Sequence, residues 1–332
     1  MRRAAFPLRS ADPYFILIQT EFSAPVMKTI LGPFHPYLED ALVEEVLSYK
    51  KIDPLIPLLV LVPSDALGRH LKTLLSRERG LSLLNVSILT FFQLSARLCA
   101  EAGLHAAPLR DDLFLEEVLR YLVRARHAGA AAFAGIDERV GGCAALWQTV
   151  RDLRDGAVDP QLALEALREG QFAEKTHDRT ARLFELLQSL LSFCEAKNIP
   201  THYGLDKLAA TQAPASKFLG RFAQIFYYGF YDLTQIQSDL LRAVTQNYPA
   251  TLLFPLLSLR PSHAGWRFAA RFFERYLEGY GTTPTRNLIE AGAETLPRTF
   301  ALFDEQAERA YAPLPNRWRC TIANAFGIRD EV

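Results

Sequence analysis

The side chains able to do chemistry in this 332-residue chain are scattered, and the spacings that would make them a reaction centre are missing. His35 and His202 fall in loops, while His70, His105, His127, His177 and His263 are dispersed singly, with no i, i+4 pair to hold a metal. The carboxylate neighbours Glu44-Glu45, Asp111-Asp112 and Glu116-Glu117 lie on amphipathic segments and read as solvated helix faces rather than acid–base pairs. No G-x-x-x-x-G-K-[ST], H-E-x-x-H, G-x-S-x-G or EF-hand pattern occurs, so no catalytic residue and no metal ligand is assigned.

One segment stands in a chemically suggestive place. Gly32-Pro33-Phe34-His35-Pro36 follows the run Met27–Leu31, which reads as a first strand, and opens the amphipathic stretch Tyr37–Tyr49, where a phosphate-binding loop would sit between strand and helix. Such a loop needs glycines so that backbone N–H groups can wrap phosphates, a Lys for the β- and γ-phosphates and a hydroxyl for Mg²⁺. Here Gly32 alone remains, Pro33 and Pro36 remove amide donors, and Leu38 and Glu39 stand about where Lys and Ser/Thr belong. A carboxylate there repels a nucleotide.

The elements that must hold these residues follow from hydrophobic periodicity. Leu58–Val62 is an unbroken apolar run ended by Pro63, as expected of a parallel strand covered on both faces. Ser64 and Asp65 can cap the helix after it, which Gly80 ends; Val86–Thr90 reads as a third strand and Phe92–Glu101 as a helix. From about residue 108 helical periodicity takes over, with amphipathic segments at 110–127, 138–155, 159–169 and 176–197. Strand character returns at Gln224–Tyr228, followed by a helix Gln235–Thr245, a strand Ala250–Leu256, a helix near Trp266–Leu277 and a last strand Trp318–Ala323. The expected fold is α/β: a parallel sheet flanked by helices, with an all-helical insertion. The expected division is an extension at 1–26, an α/β domain at 27–107 and 222–311, a helical insertion at 108–221 and the start of a further domain at 312–332.

Composition bounds the function. Thirty-seven basic residues balance 37 acidic ones and the pI is near 7.1, so no global positive field gathers nucleic acid and any such binding must come from local patches. Cys99, Cys143, Cys194 and Cys320 form no C-x-x-C pair and read as reduced thiols of a cytoplasmic protein, mostly buried. The apolar run Phe15–Ile18 is interrupted by Gln19 and Glu21 and is too short for a signal peptide. No stretch approaches the ~18 apolar residues of a membrane helix.

The order of segments resembles the helicase-like N-terminal region of the AddB/RexB type, the B subunit of bacterial ATP-dependent helicase/nucleases, itself related to superfamily 1 helicases of the UvrD type. The resemblance rests on the strand and degenerate loop, Leu61-Val62-Pro63-Ser64, Leu89-Thr90-Phe91-Phe92-Gln93-Leu94, the helical insertion and Ile225–Gln237. In active helicases the strand after the insertion ends in an Asp-Glu pair, for Mg²⁺ and the attacking water, followed by Phe-Gln-Asp and a later Gln. On that register Phe230, Asp232 and Gln237 match, whereas Tyr228 and Gly229 replace the Asp-Glu pair and Tyr231 the Gln. The closing Ala323–Val332 resembles the opening of a second helicase-like domain.

The resemblance implies a RecA-like, P-loop-NTPase-like sheet over residues 27 to 332, with a degenerate nucleotide site at Gly32, Pro33, Leu38, Glu39, Tyr228 and Gly229. It implies no cofactor in this chain; a longer parent would carry a PD-(D/E)XK nuclease and can carry an iron–sulfur cluster elsewhere. The expected role is a non-catalytic DNA-binding or bracing module in double-strand-break processing. Its expected partners are DNA, single-stranded or as a duplex end, and an A-type motor subunit. Candidate DNA contacts are Ser64, Arg69, Lys72, Thr90, Phe91 and Arg97, with His70 nearby and Phe92, Tyr228 or Phe230 as further stacking platforms. Two rivals stand beside it: a protein-interaction scaffold without DNA affinity, and an NTPase with an unusual phosphate loop.

Overall fold

The computed structural model describes residues 27–103, 112–126, 133, 136, 141–170, 177–199, 201–256, 267–277 and 286–288. The chain runs through β1 (Lys28–Gly32), a wide turn at Phe34–Leu38, α1 (Glu39–Ile52), β2 (Leu58–Val62), α2 (Asp65–Thr73), β3 (Val86–Thr90) and α3 (Phe91–Glu101). Helices follow: α4 (Asp112–Arg126), α5 (Gly142–Asp155), α6 (Pro160–Arg168), α7 (His177–Ala196) and α8 (His202–Gln212). Then come β4 (Gln224–Tyr228), α9 (Gln235–Thr245), β5 (Ala250–Pro255), α10 (Arg267–Phe272) and β6 (Arg286–Asn287).

The six strands form one all-parallel sheet in the order β3-β2-β4-β5-β1-β6, with registers such as Leu61↔Leu89, Leu59↔Ile225, Tyr228↔Leu253 and Ile30↔Leu253. This is an α/β fold flanked by helices and consistent with a RecA-like fold, as the alternation of strand and helix led one to expect. The reason is visible in β2, whose Leu-Leu-Val-Leu-Val is buried at every position. A strand with no polar face is stable only between two helical layers. Each such side chain contributes roughly 1.5–3 kcal/mol on burial.

Two cores result. On one face α1 and α2 cover Ile30, Leu58, Val60, Phe226 and Leu253; on the other, α3, α8, α9 and α10 cover Leu59, Leu61, Ile225, Tyr227, Leu252 and Phe254. Helices α4, α5 and α7 have a separate core around Leu119, Leu122, Trp147, Val150, Leu186 and Leu187. Helix α8, which hydrophobic periodicity did not single out, lies inside the stretch expected to be insertion yet packs Leu205 and Ala209 into the sheet layer. The short β6 also goes unmarked in the sequence, because two exposed residues carry no pattern. The expected strand Trp318–Ala323 and residues 1–26 and 312–332 lie outside the described residues, as does Cys320. Cys99, Cys143 and Cys194 are free and buried, and burial pushes the thiols of Cys99 and Cys194 upward, which lowers their thiolate fraction. Among the described residues no helix is long and apolar enough to cross a membrane.

The segment between α8 and β4 is tied to the end of α3 by Glu101. Its carboxylate accepts from Ser216 Oγ at 2.6 Å and from the Phe218 N–H at 3.0 Å. These bonds, with Ser216 first, hold the carboxyl below the ordinary glutamate value, and Arg221 adds to the effect. A depressed folded-state value means stability present above the unfolded value, about 4.5, and lost as pH falls through the folded one. Glu101→Gln is therefore expected to lose about 1 kcal/mol at neutral pH, a figure discounted for solvent screening. Urea titrations of wild type and variant should converge as pH falls below about 4.5.

Candidate functional site

In a parallel sheet the loops that follow the strands gather at one edge, and ligands of such folds bind there. Among the described residues those loops follow β1, β2, β3 and β4 in full and β5 at its first residue, Leu256.

The loop after β1 is closed by its own side chains. Phe34 turns back over the end of β4 and meets Tyr228 edge to face, with ring centroids 5.3 Å apart. The next residue, Gly229, has φ +82, and a Cβ there would lie 2.8 Å from Leu67 Cδ2 and 3.1 Å from Phe34 Cε2. Gly229 is thus required both by its left-handed backbone and by the ring against it. Gly32 is tight in the same way: a Cβ would lie 2.7 Å from Leu288 Cβ. Of the loop's amides, Leu38 N–H donates to Pro33 O at 3.1 Å and Glu39 N–H to Pro36 O, while Pro33 and Pro36 have none to give.

Glu39 completes the closure. Its side chain is 3% exposed, and the two carboxylate oxygens bond separately to His35 Nδ1 at 2.6 Å and His70 Nε2 at 2.8 Å. His70 belongs to α2, so this carboxylate clips the loop after β1 to the helix after β2. Tyr228 lies beneath it, fully buried, its hydroxyl without a hydrogen-bond partner among the described residues. Burial pushes that hydroxyl far above its ordinary range, and the Glu39 charge adds to the shift. Lys28 is committed to an ion pair with Glu45 on α1. Among the described residues no group of His, Cys, Asp and Glu has the geometry to hold a metal ion. Gly32, Pro33, Leu38, Glu39, Tyr228 and Gly229 are thus brought together, as one cluster of apolar rings and a carboxylate hydrogen-bonded to two histidines. Neither Phe34 nor His70 was assigned to that site from the sequence; a lone aromatic between prolines and a helical histidine carry no signal of a shared partner.

The candidate DNA contacts are separated by the fold. Ser64 Oγ accepts from Leu67 N–H at 3.3 Å and Thr90 Oγ1 from Gln93 N–H at 3.3 Å, so both hydroxyls cap helices. Gln93 accepts in turn from Thr90 N–H and also donates to Asp65 Oδ1, linking the loops after β2 and β3. Gln237, which matches the helicase register, is likewise the return partner of a capping box with Thr234. Phe91 and Phe230 are buried and pack on each other at 4.8 Å, so neither ring is presented to a base. Phe92 is 44% exposed. Arg69 and Lys72 stand exposed on one face of α2. Arg97 is exposed further along α3, about 10 Å from Thr90 along the helix axis, with its guanidinium 4.8 Å over the Phe218 ring. A cleft of about 570 Å³ opens beyond the loops after β3 and β4, and it is acid-rich: Asp112, Asp152, Asp155 and Asp206 against Arg151 and Arg154.

Because Gly229 sits at positive φ beneath Phe34, Gly229→Ala is expected to destabilise the protein by about 1–3 kcal/mol in urea denaturation. Gly220→Ala, where the nearest atom to a new Cβ is 3.9 Å away, should change stability by less than about 0.5 kcal/mol.

Among curated proteins, the chain is 27% identical over 199 residues to the B subunit of the ATP-dependent helicase/deoxyribonuclease of Symbiobacterium thermophilum. The match takes in 58% of this chain and 17% of that protein, so the chain corresponds to a small part of the relative's length. No family model matches. The relationship to the B subunit of helicase/nucleases is distant and partial.

Proposed function

We propose that this chain is a non-catalytic, helicase-like module of a DNA helicase/nuclease of the AddB type, which binds or braces DNA beside a motor subunit inside the cell. The observation that carries the reading is the filled loop after β1. Where a nucleotide-hydrolysing relative of this fold would wrap phosphates, this chain has Phe34 packed on Tyr228 and Gly229, and a buried Glu39 held by His35 and His70. A triphosphate entering there would meet a carboxylate in place of a lysine and would have to displace an aromatic ring. The distant similarity to a protein named as part of an ATP-dependent helicase/deoxyribonuclease supports the DNA context. Among the described residues, the exposed Arg69 and Lys72 next to the carboxyl edge are the cations best placed for phosphates.

The acid-rich cleft beyond β3 and β4 favours a second reading, a protein-interaction scaffold, because carboxylates repel a nucleic-acid backbone. Fluorescence anisotropy of labelled single-stranded and forked DNA at about 50 and 200 mM salt, with and without ATP–Mg²⁺, separates the two. The proposal expects a Kd of ~1–100 µM that weakens with salt and ignores ATP. Replacing both Arg69 and Lys72 by Ala should reduce the single-strand salt slope by about 1.4. Absence of binding at low salt would leave the scaffold reading, and an ATP-dependent change would overturn the non-catalytic one.

A further inference from the structure

Among the described residues the sheet ends on one side at β3, an edge without the usual protections. Val86-Ser87-Ile88-Leu89-Thr90 is half-buried at every position and carries no charge and no proline. Soluble proteins blunt an edge of such high β-propensity or pair it. Leu58 N–H donates to Asn85 O, so by the alternation of a parallel ladder residues 85, 87 and 89 turn their backbone groups to β2, and 86, 88 and 90 turn theirs outward. Val86 N–H is used by Leu83 O and Thr90 N–H by Gln93. Among the described residues Ile88 N–H, Ile88 C=O and Val86 C=O remain, in the donor–acceptor order that receives another strand.

Beside this edge lies a cleft of about 670 Å³, with Ser87 and Leu89 on one wall and Phe92, Arg97, Phe218 and Arg221 on the other. The Arg97 and Arg221 guanidiniums lie 4.8 and 5.0 Å from the Phe218 ring centroid. Stacking fixes their planes and leaves their N–H edges available. Among the described residues neither is ion-paired. The neighbouring acid, Glu101, is occupied by Ser216 and Phe218.

We infer that this edge and cleft form a docking site for an extended polypeptide strand of a partner, bearing carboxylates on alternate residues. Its backbone pairs with Ile88 and Val86, and its alternate side chains reach Arg97 and Arg221. Charge complementarity decides between occupants. A second copy would bring the same uncharged edge and the same cations, which repel. A nucleic-acid backbone offers acceptors alone and leaves the Val86 and Ile88 carbonyls unmatched, whereas a peptide strand supplies both donors and acceptors. The site lies on the flank of the sheet, away from the loop after β1, so it stands or falls independently of the nucleotide-site reading.

The test is anisotropy of a labelled, end-capped peptide alternating Val and Glu, titrated with the intact protein. Companion probes are the same peptide with Lys for Glu, the same peptide N-methylated along one edge, and a labelled single-stranded oligonucleotide. Binding of the Val-Glu peptide that falls at least ~10-fold on N-methylation, on exchange of Glu for Lys, and in Arg97→Ala and Arg221→Ala supports the site. Circular dichroism verifies that both variants fold. No binding of the Val-Glu peptide, or binding indifferent to N-methylation, overturns it. So does an oligonucleotide that binds through Arg97 and Arg221 when the peptide does not, or sedimentation showing that β3 pairs copies of this chain.

Discussion

A parallel sheet buried on both faces dictates most of this molecule. Every connection between neighbouring strands must cross back over a helical layer, so all loops that leave the strands collect at one edge, and that edge is where the fold can meet a ligand. What fills the edge then decides what the protein can do. Here it is filled from within: Phe34 closes over Tyr228 and Gly229, and Glu39 joins the loop after β1 to α2 through two histidines. The residues of this loop are engaged in packing and in hydrogen bonds to one another.

The capping pattern has the same consequence. Ser64, Thr90 and Thr234 each give a hydroxyl to the first turn of the next helix, and Gln93 and Gln237 bond back to the chain. Polar residues at the ends of β2, β3 and β4 are in this way satisfied locally, and α2, α3 and α9 are started at fixed positions relative to the sheet. Among the described residues, exposed cations stand on the flanks: Arg69 and Lys72 of α2, and the Arg97–Phe218–Arg221 group beside β3.

β2 was legible because a buried parallel strand writes itself as an unbroken apolar run; β3 and β4, which carry Ser87, Thr90 and Gln224, also stand at the positions that the sequence marks, and β1 is displaced by one residue. The place of the loop after β1 between strand and helix was legible too, with its two prolines and the glutamate that follows. Long-range partnerships were not. Glu39 and His70 are 31 residues apart and meet through the crossing of α1 and α2. Phe218 approaches Arg97 from beyond the whole helical stretch. Helix α8 hid because its buried positions are small or few, chiefly Leu205 and Ala209. Phe91 shows the other limit: an aromatic next to a polar loop reads equally as a stacking platform or as core, and the structure buries it against Tyr227 and Phe230.

Equilibrium titration of the protein with a fluorescent ATP analogue and Mg²⁺, competed by unlabelled ATP, tests the filled loop most directly. The closed arrangement of Phe34, Glu39, His35 and His70 predicts no saturable, competable binding up to about 1 mM, the concentration at which even a 4 kcal/mol interaction would register. Saturable binding in the micromolar range, displaced by ATP, would contradict it and return the loop after β1 to the class of working phosphate sites.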